Sequence, residues 1–552
     1  MRLRLAVLLA LYLCQVSTPG QTQIEPPEQM AAESITADQI AAHVRFLSDD
    51  LLGGRAPGTH GDQVARQYIA TQFALLGLQP VAVDGSYFQR FDILGIRSDV
   101  PKTMIIRAAN DQSLSLNYWD DFIAFTGAQD SISQVNDAEI VFIGYGIEAP
   151  EQKWNDYKDV DVRGKILLMM NNDPAGDPKL FAGNRRLYYG RWTYKYEIAA
   201  EKGAVGAIII HTQPSAGYPF QVVQTSWSGQ RFEVQSGQGP ALQLKAWTTE
   251  EASQKIATLA GKNLEVLRAA AEKRNFRPVP LGVSLRFTLR SDIRRLQTAN
   301  VLGRLPGSDP TLSKEVVVYS AHHDHLGTGK AVDGDSIYNG AVDNASGISL
   351  LLSIAHAFTK LPQKPKRSIL FAAVAAEESG LLGSQYFCEH PPVPSKLMAA
   401  NLNIDGMNIW GRTRDIGVID LGKSSLDKVV SEISAYQKRT VKGDQFPDRG
   451  FFYRSDQFNF AKIGVPAIYF DNGTEFAGRS PGWGKEQIEK WEATDYHQPS
   501  DEYNPTWDLS GAVLDAQLEF LVGLRVANAA TMPIWNPGDE FEAARKKALA
   551  MP

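Results

Sequence analysis

In the stretch "YSAHHDHLG", residues 319–327, three histidines and an aspartate fill four consecutive positions of a chain with nine histidines in all. An imidazole can ligate a metal or simply be polar, and the distinction rests on whether further ligands follow at workable spacing. The run before it, "VVVYSA", has the pattern of a strand, in which alternate side chains share a face. His322 and Asp324 therefore point together and His323 points the other way. A ligating imidazole commonly gives its second N–H to a carboxylate, and His322 with Asp324 behind it fits that arrangement. His323 and His325 are read as polar neighbours with no assigned role.

Further candidates follow in order. Asp343, in "NGAVDNASGISLLL", stands just before a helix expected to start near Ser346. A carboxylate there suits an N-cap or a bridge between two cations. Glu377 and Glu378 end the apolar run in "FAAVAAEESG". Adjacent carboxylates after such a run are costly unless something positive holds them; one can ligate while the other serves as general base. Asp405 in "NLNIDGMN" and His497 in "YHQPSDE" complete the set. Each alone reads equally well as a turn or surface residue. Together, nearly all at strand carboxyl ends, they point to a metal site.

The elements that must position these residues are legible from about residue 290. Apolar strands "EVVVYSA", "SILFAAVAA", "AANLNI" and "VPAIYF" alternate with helical stretches. That pattern predicts an α/β fold with a mixed, mostly parallel sheet flanked by helices. Such sheets bind ligands beyond the carboxyl ends of their strands, and here the strands lead into "HHDH", "EESG", "DGMN" and "DNGTE". Upstream, "ITADQIAAHVRFLSDDLLGGRAPGTHGDQVARQYIATQFALLGLQP" reads as two amphipathic helices around a glycine-rich turn. Between 130 and 280 strands alternate with few helices, as in "AEIVFIGYGI" and "GKILLMM", and we read a separate inserted, mostly-β domain.

At 552 residues the chain exceeds one hydrophobic core. A net charge of −6 argues against a nucleic-acid binder. "MRLRLAVLLALYLCQVSTPGQ" has the basic start, apolar stretch and small residues of a secretory signal. No other stretch reads as a bilayer span. The expected organisation is a signal peptide (1–20), an N-terminal segment of the main domain (21–129), the insertion (130–280) and the main domain (281–552). The protein is thus expected to be exported, periplasmic or secreted. Signal removal takes Cys14 and leaves Cys388 alone, so no internal disulfide is expected.

With these motifs in hand, the chain resembles the zinc-dependent di-metal aminopeptidases. The likeness is carried by "AHHDHLG", "GAVDNASG", "AAEESGLLGS", "NIDGMN", "RSDQFNFAKIGVPAIYF" and "YHQPSDE". The superfamily also holds glutamate carboxypeptidases, glutaminyl cyclases and transferrin-receptor-like proteins. "FIGYGI", "DVRGKILLM" and "KYEIAAEKGAVGAIIIH" resemble its inserted protease-associated domain. The resemblance implies the zinc exopeptidase fold, peptide substrates and two Zn²⁺ per chain. It implies that His322 and Asp405 hold one zinc, Glu378 and His497 the other, and that Asp343 bridges them. Glu377 would be the general acid/base, Asp324 would orient His322 with a cis peptide after it, and Tyr453 would donate to the oxyanion. The chain departs from the pattern at Gln457, where many relatives carry histidine.

The leading expectation is an aminopeptidase. A carboxypeptidase or dipeptidase is the alternative, with Arg412, Arg414, Arg454 and Arg479 near the motifs as partners for a substrate carboxylate. A glutaminyl cyclase fits less well, since those relatives work with one zinc and lack the insertion. A non-catalytic, receptor-like member would have lost ligands that are all present here.

Overall fold

The computed structural model describes residues 24–550 apart from 159, 176, 184 and 236–239, so the stretch read as a secretory signal, with Cys14, lies outside the described residues. Two helices, α1 (Ala37–Leu47) and α2 (His60–Leu75), lead into the long strand β1 (Phe88–Asp99). Thr36 and Thr59 cap the two helices through their side chains, satisfying backbone N–H groups at the first turn. Their apolar stripes, including Ile40, Val44, Ile69 and Phe73, enter the main core.

A second set of elements follows: β2 (Ile132–Phe142), β3 (Ile166–Met170), β4 (Gly206–His211), α3 (Phe220–Trp227) and β5 (Leu244–Thr249). β2, β3, β4 and β5 pair in parallel in that order. Helices Trp192–Glu201, Glu250–Leu259 and Leu264–Ala271 accompany them. The region is therefore α/β rather than mostly β. Parallel neighbours need crossover connections, and these helices supply them. Its own core reaches from Met104 to Leu289, wider than the 130–280 read from the sequence.

The 27-residue strand β6 (Val279–Leu305) ties the two parts together. Its first half pairs antiparallel with β2, its middle with β1 and its end with the main sheet. That sheet continues through β7 (Val316–His322), helix α4 (Gly347–Lys360), β8 (Ser368–Val374), β9 (Met398–Asn403) and β10 (Ala467–Asp471) to helix α5 (Ser510–Asn528). β7 lies between β8 and β9, parallel to both, and β10 runs parallel to β9. Every residue of β7, β8 and β9 is buried, as expected for a parallel sheet covered by helices on both faces. α4 with the turn before it (341–360) is apolar and long enough to cross a membrane, contrary to the sequence expectation, but 94% of its most apolar window is buried. It is the central helix of the core.

Candidate metal centre

β7, β8 and β9 bring their carboxyl ends to one place, and the chain breaks there into polar loops. His322 is the last residue of β7; Glu377 and Glu378 follow β8, and Asp405 follows β9. Asp343 sits in the turn before α4, and His497 in the loop after helix Trp483–Thr494.

Two groups of donor atoms result. In the first, His322 Nε2 lies 3.2 Å from both Asp405 Oδ1 and Asp343 Oδ1. In the second, His497 Nε2 lies 3.1 Å from both Asp343 Oδ2 and Glu378 Oε2. Asp343 thus turns one oxygen towards each imidazole. Glu377 stands beside the first group, with Oε2 4.0 Å from His322 Nε2.

His325 also enters the second group, with Nδ1 2.6 Å from Glu378 Oε1. The sequence reading gave it no role, because β7 ends at His322 and strand alternation no longer governs residue 325. His323 does point away, as alternation requires, and its Nε2 meets Asp62 Oδ1 at 3.1 Å.

The surroundings hold these side chains in place. His322 Nδ1 is 3.2 Å from the Asp324 carbonyl and 3.8 Å from its carboxylate, while Asp324 Oδ1 accepts the Glu377 backbone N–H at 3.1 Å. Asp501, in the same motif as His497, accepts the backbone N–H groups of Val342 and Asp343. The buried Arg55 guanidinium donates to the carbonyls of His323, Asn339 and Gly340, joining the loops on either side of the site. Helix α3 reaches in as well: Ser226 Oγ is 2.7 Å from His497 Nδ1. The cis peptide lies between Asp343 and Asn344, not after Asp324. There the Asn344 amide is held by Ile404 O and by the N–H groups of Gly347 and Gly406.

Tyr453 donates its hydroxyl to Glu540 and packs its ring among Phe452, Phe458 and Phe541. The phenol beside Asp405 is that of Tyr469, whose hydroxyl donates to the Asp405 carbonyl at 3.3 Å. Gln457 accepts from Asn403 and donates to Phe452 O, a buried scaffold role away from the donor groups. An aromatic cavity opens from the cluster, walled by Met407, Trp410, Phe446, Tyr469 and Trp491.

The donor set fits metal ions. Among the described residues, the ion-pair partners of Asp343, Glu377, Glu378 and Asp405 are all imidazoles. Buried carboxylates at this density are costly without positive charge. Burial pushes the Glu377 carboxyl well above its usual range against the pull of His322, with Asp405 and Glu378 adding to the rise. Burial raises Asp324 to about 7, opposed by His322. Burial disfavours charge on His497, yet Glu378 and Asp343 carry it up to about 9. Both ring nitrogens of His325 and Glu378 Oε1 lack a hydrogen bond despite their contact, as donors turned towards a common ion would.

Comparison with known proteins bears on the fold and on part of the sequence. A large, mostly parallel sheet flanked by helices is shared with the aminopeptidase from Aneurinibacillus sp. strain AM-1, at a TM-score of 0.55 and 18% identity, covering 93% of this chain and 98% of that one. Residues 300–521 match the model of Peptidase family M28. "Aminopeptidase NAALADL1" of Mus musculus is 34% identical over 134 residues, 23% of this chain and 16% of that protein. "Glutamate carboxypeptidase 2 homolog" of Caenorhabditis elegans is 26% identical over 393 residues, 61% of this chain and 46% of that protein. The chain thus spans less than half the length of these two relatives.

Proposed function

We propose that this protein is an exported di-zinc exopeptidase, an aminopeptidase that hydrolyses N-terminal residues from peptides. One observation carries the reading: Asp343 faces His322 with Oδ1 and His497 with Oδ2, as a carboxylate shared by two metal sites must. His322 and Asp405 would hold one zinc, His497 and Glu378 the other, with His325 adjoining the second. Mixed imidazole and carboxylate donors favour zinc over magnesium. When bound, the cations supply Lewis acidity towards a scissile carbonyl and an attacking water.

The chain's own residues supply the rest. Glu377 has no metal to hold in this assignment. Its carboxylate is placed to accept a proton from the attacking water and return it to the leaving amine. The burial that raises its affinity for a proton suits both halves of that transfer. Asp324 fixes the Glu377 backbone and stands behind His322. Tyr469, nearer the cluster than the Tyr453 hydroxyl, is the phenol within reach of a developing oxyanion. The aromatic cavity would receive an apolar side chain. Export rests on the N-terminal pattern, and a protease-associated role for the middle region rests on its motifs, "FIGYGI" and "DVRGKILLM" among them.

A panel of aminoacyl substrates, free and N-acetylated, with and without chelator, tests this. The reading requires cleavage of the free amines alone and its loss on chelation. Cleavage that ignores acetylation but fails when the far carboxylate is amidated would move the enzyme to the carboxypeptidase branch.

A further inference from the structure

Beside the donor cluster, a second cavity, sharing Glu377 and Glu378 with the aromatic one, is lined by α3 and the main domain. Its walls bring together three guanidinium groups: Arg191 and Arg231 from the 104–289 region and Arg454 from the "RSD" motif. Arg191 is 9% exposed, and its Nε has no hydrogen-bond partner. Arg231 donates to the Ser226 carbonyl and lies over the Trp227 ring. Arg454 donates to the Tyr496 hydroxyl at 3.0 Å. Among the described residues none of the three has a carboxylate within ion-pair distance. Glu197, on the same wall, is exposed and accepts from the Tyr188 hydroxyl instead.

Other buried arginines find partners within the chain: Arg186 and Arg545 donate to the carbonyls of Ser215 and Ser395. Arg367 and Arg439 pair with Glu315 and Asp515, and Arg55 is surrounded by carbonyls. A buried cation left without a counter-ion is costly. Arg191 is buried and Arg231 and Arg454 are half-buried; three on one cavity therefore call for an anion from outside, and guanidinium groups match a planar carboxylate through paired N–H donors. The cavity is contiguous with the donor cluster, because Glu377, Glu378 and His497 line it too.

We infer that this cavity is a carboxylate-binding subsite, with Arg191 and Arg231 of the 104–289 region and Arg454 of the main domain receiving a carboxylate of the peptide being hydrolysed. The inference rests on the peptidase reading and narrows its substrates to peptides that place a negative charge close to the scissile bond. The charge is either the terminal carboxylate of a very short peptide or an acidic side chain.

The test compares kcat/KM for Ala-Ala with Ala-Ala-amide, and for Ala-Glu-amide with Ala-Gln-amide, on wild type, Arg191→Gln and Arg231→Gln. A preference of tenfold or more in the first pair assigns the subsite to the chain terminus, and in the second to a side chain. Either preference should shrink at least fivefold in Arg191→Gln. Because Arg191 makes no ion pair, this variant should melt no lower than wild type, which separates a binding role from a structural one. Arg191→Lys, which keeps the charge, should retain part of the preference. Acid-to-amide ratios near one in wild type, or ratios unmoved by both substitutions, overturn the proposal while leaving the peptidase reading intact. If no peptide is cleaved, that reading fails. Calorimetric titration of the zinc-loaded protein with glutarate then decides the subsite by itself: tenfold weaker binding in Arg191→Gln supports it, and unchanged binding overturns it.

Discussion

Ser226 Oγ lies 2.7 Å from Nδ1 of His497, across 271 residues of sequence. The hydroxyl comes from the last turn of α3, and the imidazole from the loop after helix Trp483–Thr494. Gln498 repeats the link, contacting Gln221 and Thr225 of the same helix. The 104–289 region therefore holds a candidate metal ligand in its orientation.

If so, Ser226→Ala should weaken zinc at the His497 side by ~10–100-fold, the usual worth of a hydrogen bond behind a ligating histidine. Zinc at the His322 side should be unaffected. Chelator competition against the two bound equivalents measures both, and Ser226→Thr, which keeps the hydroxyl, should restore the weaker one. Two equivalents released identically in wild type and Ser226→Ala would show that the contact does not tune metal binding.

The sequence made the donor cluster legible because strand ends are legible. Apolar runs that stop at His322, before Glu377 and before Asp405 mark the end of a buried parallel sheet, where ligands must gather. Ser226, Arg191 and Arg231 were not legible. They come from a region whose approach to the site is set by docking, and local pattern says nothing of it. Arg55 was hidden for a related reason: its partners are carbonyls of distant loops, which carry no side-chain signature. The helical content of residues 130–280 was underestimated because α3, "FQVVQTSW", is short and rich in residues equally at home in strands.

Asp343 is shared by both donor groups, whereas His497 belongs to one. Asp343→Ala should therefore empty both sites and Asp343→Asn weaken both, while His497→Ala should retain about one zinc per chain. Elemental analysis after dialysis against dilute zinc reports the stoichiometry. Two equivalents retained in Asp343→Ala would remove the bridge from the mechanism.

His211 offers a test away from the metal. It is buried against Phe220 and Trp247, with Nε2 3.0 Å from the Tyr218 carbonyl. Burial depresses its pKa to about 4, against the opposing hydrogen bonds. The folded state thus keeps the ring neutral while the unfolded chain takes up a proton below ~6.5. The stability this gives is complete above that value and is lost as the pH falls towards 4, by up to ~3 kcal/mol for a shift of this size. His211→Gln, which keeps a donor for Tyr218, should lose less stability over that interval. The difference in melting temperature between wild type and variant, followed from pH 7 to pH 4, should shift in favour of the variant. A constant difference would mean that His211 does not report the transition.

Glu377 and Glu378 are adjacent and chemically alike, yet the structure gives them different neighbours. Glu378 contacts His325 and His497 within the second donor group, while Glu377 stands 4.0 Å from His322 and receives its support through the backbone from Asp324. Glu377→Gln keeps size and hydrogen bonding but cannot take up the water's proton. It should bind both zincs and fold normally while kcat falls by ~10²–10⁴-fold, the usual worth of a general base. Glu378→Gln should instead lose or weaken one zinc, with activity partly recovered in excess metal. Metal content and turnover measured side by side on the two variants separate the roles. Metal lost from Glu377→Gln and kept by Glu378→Gln would exchange them, and full activity in both would make the pair structural and place the base elsewhere.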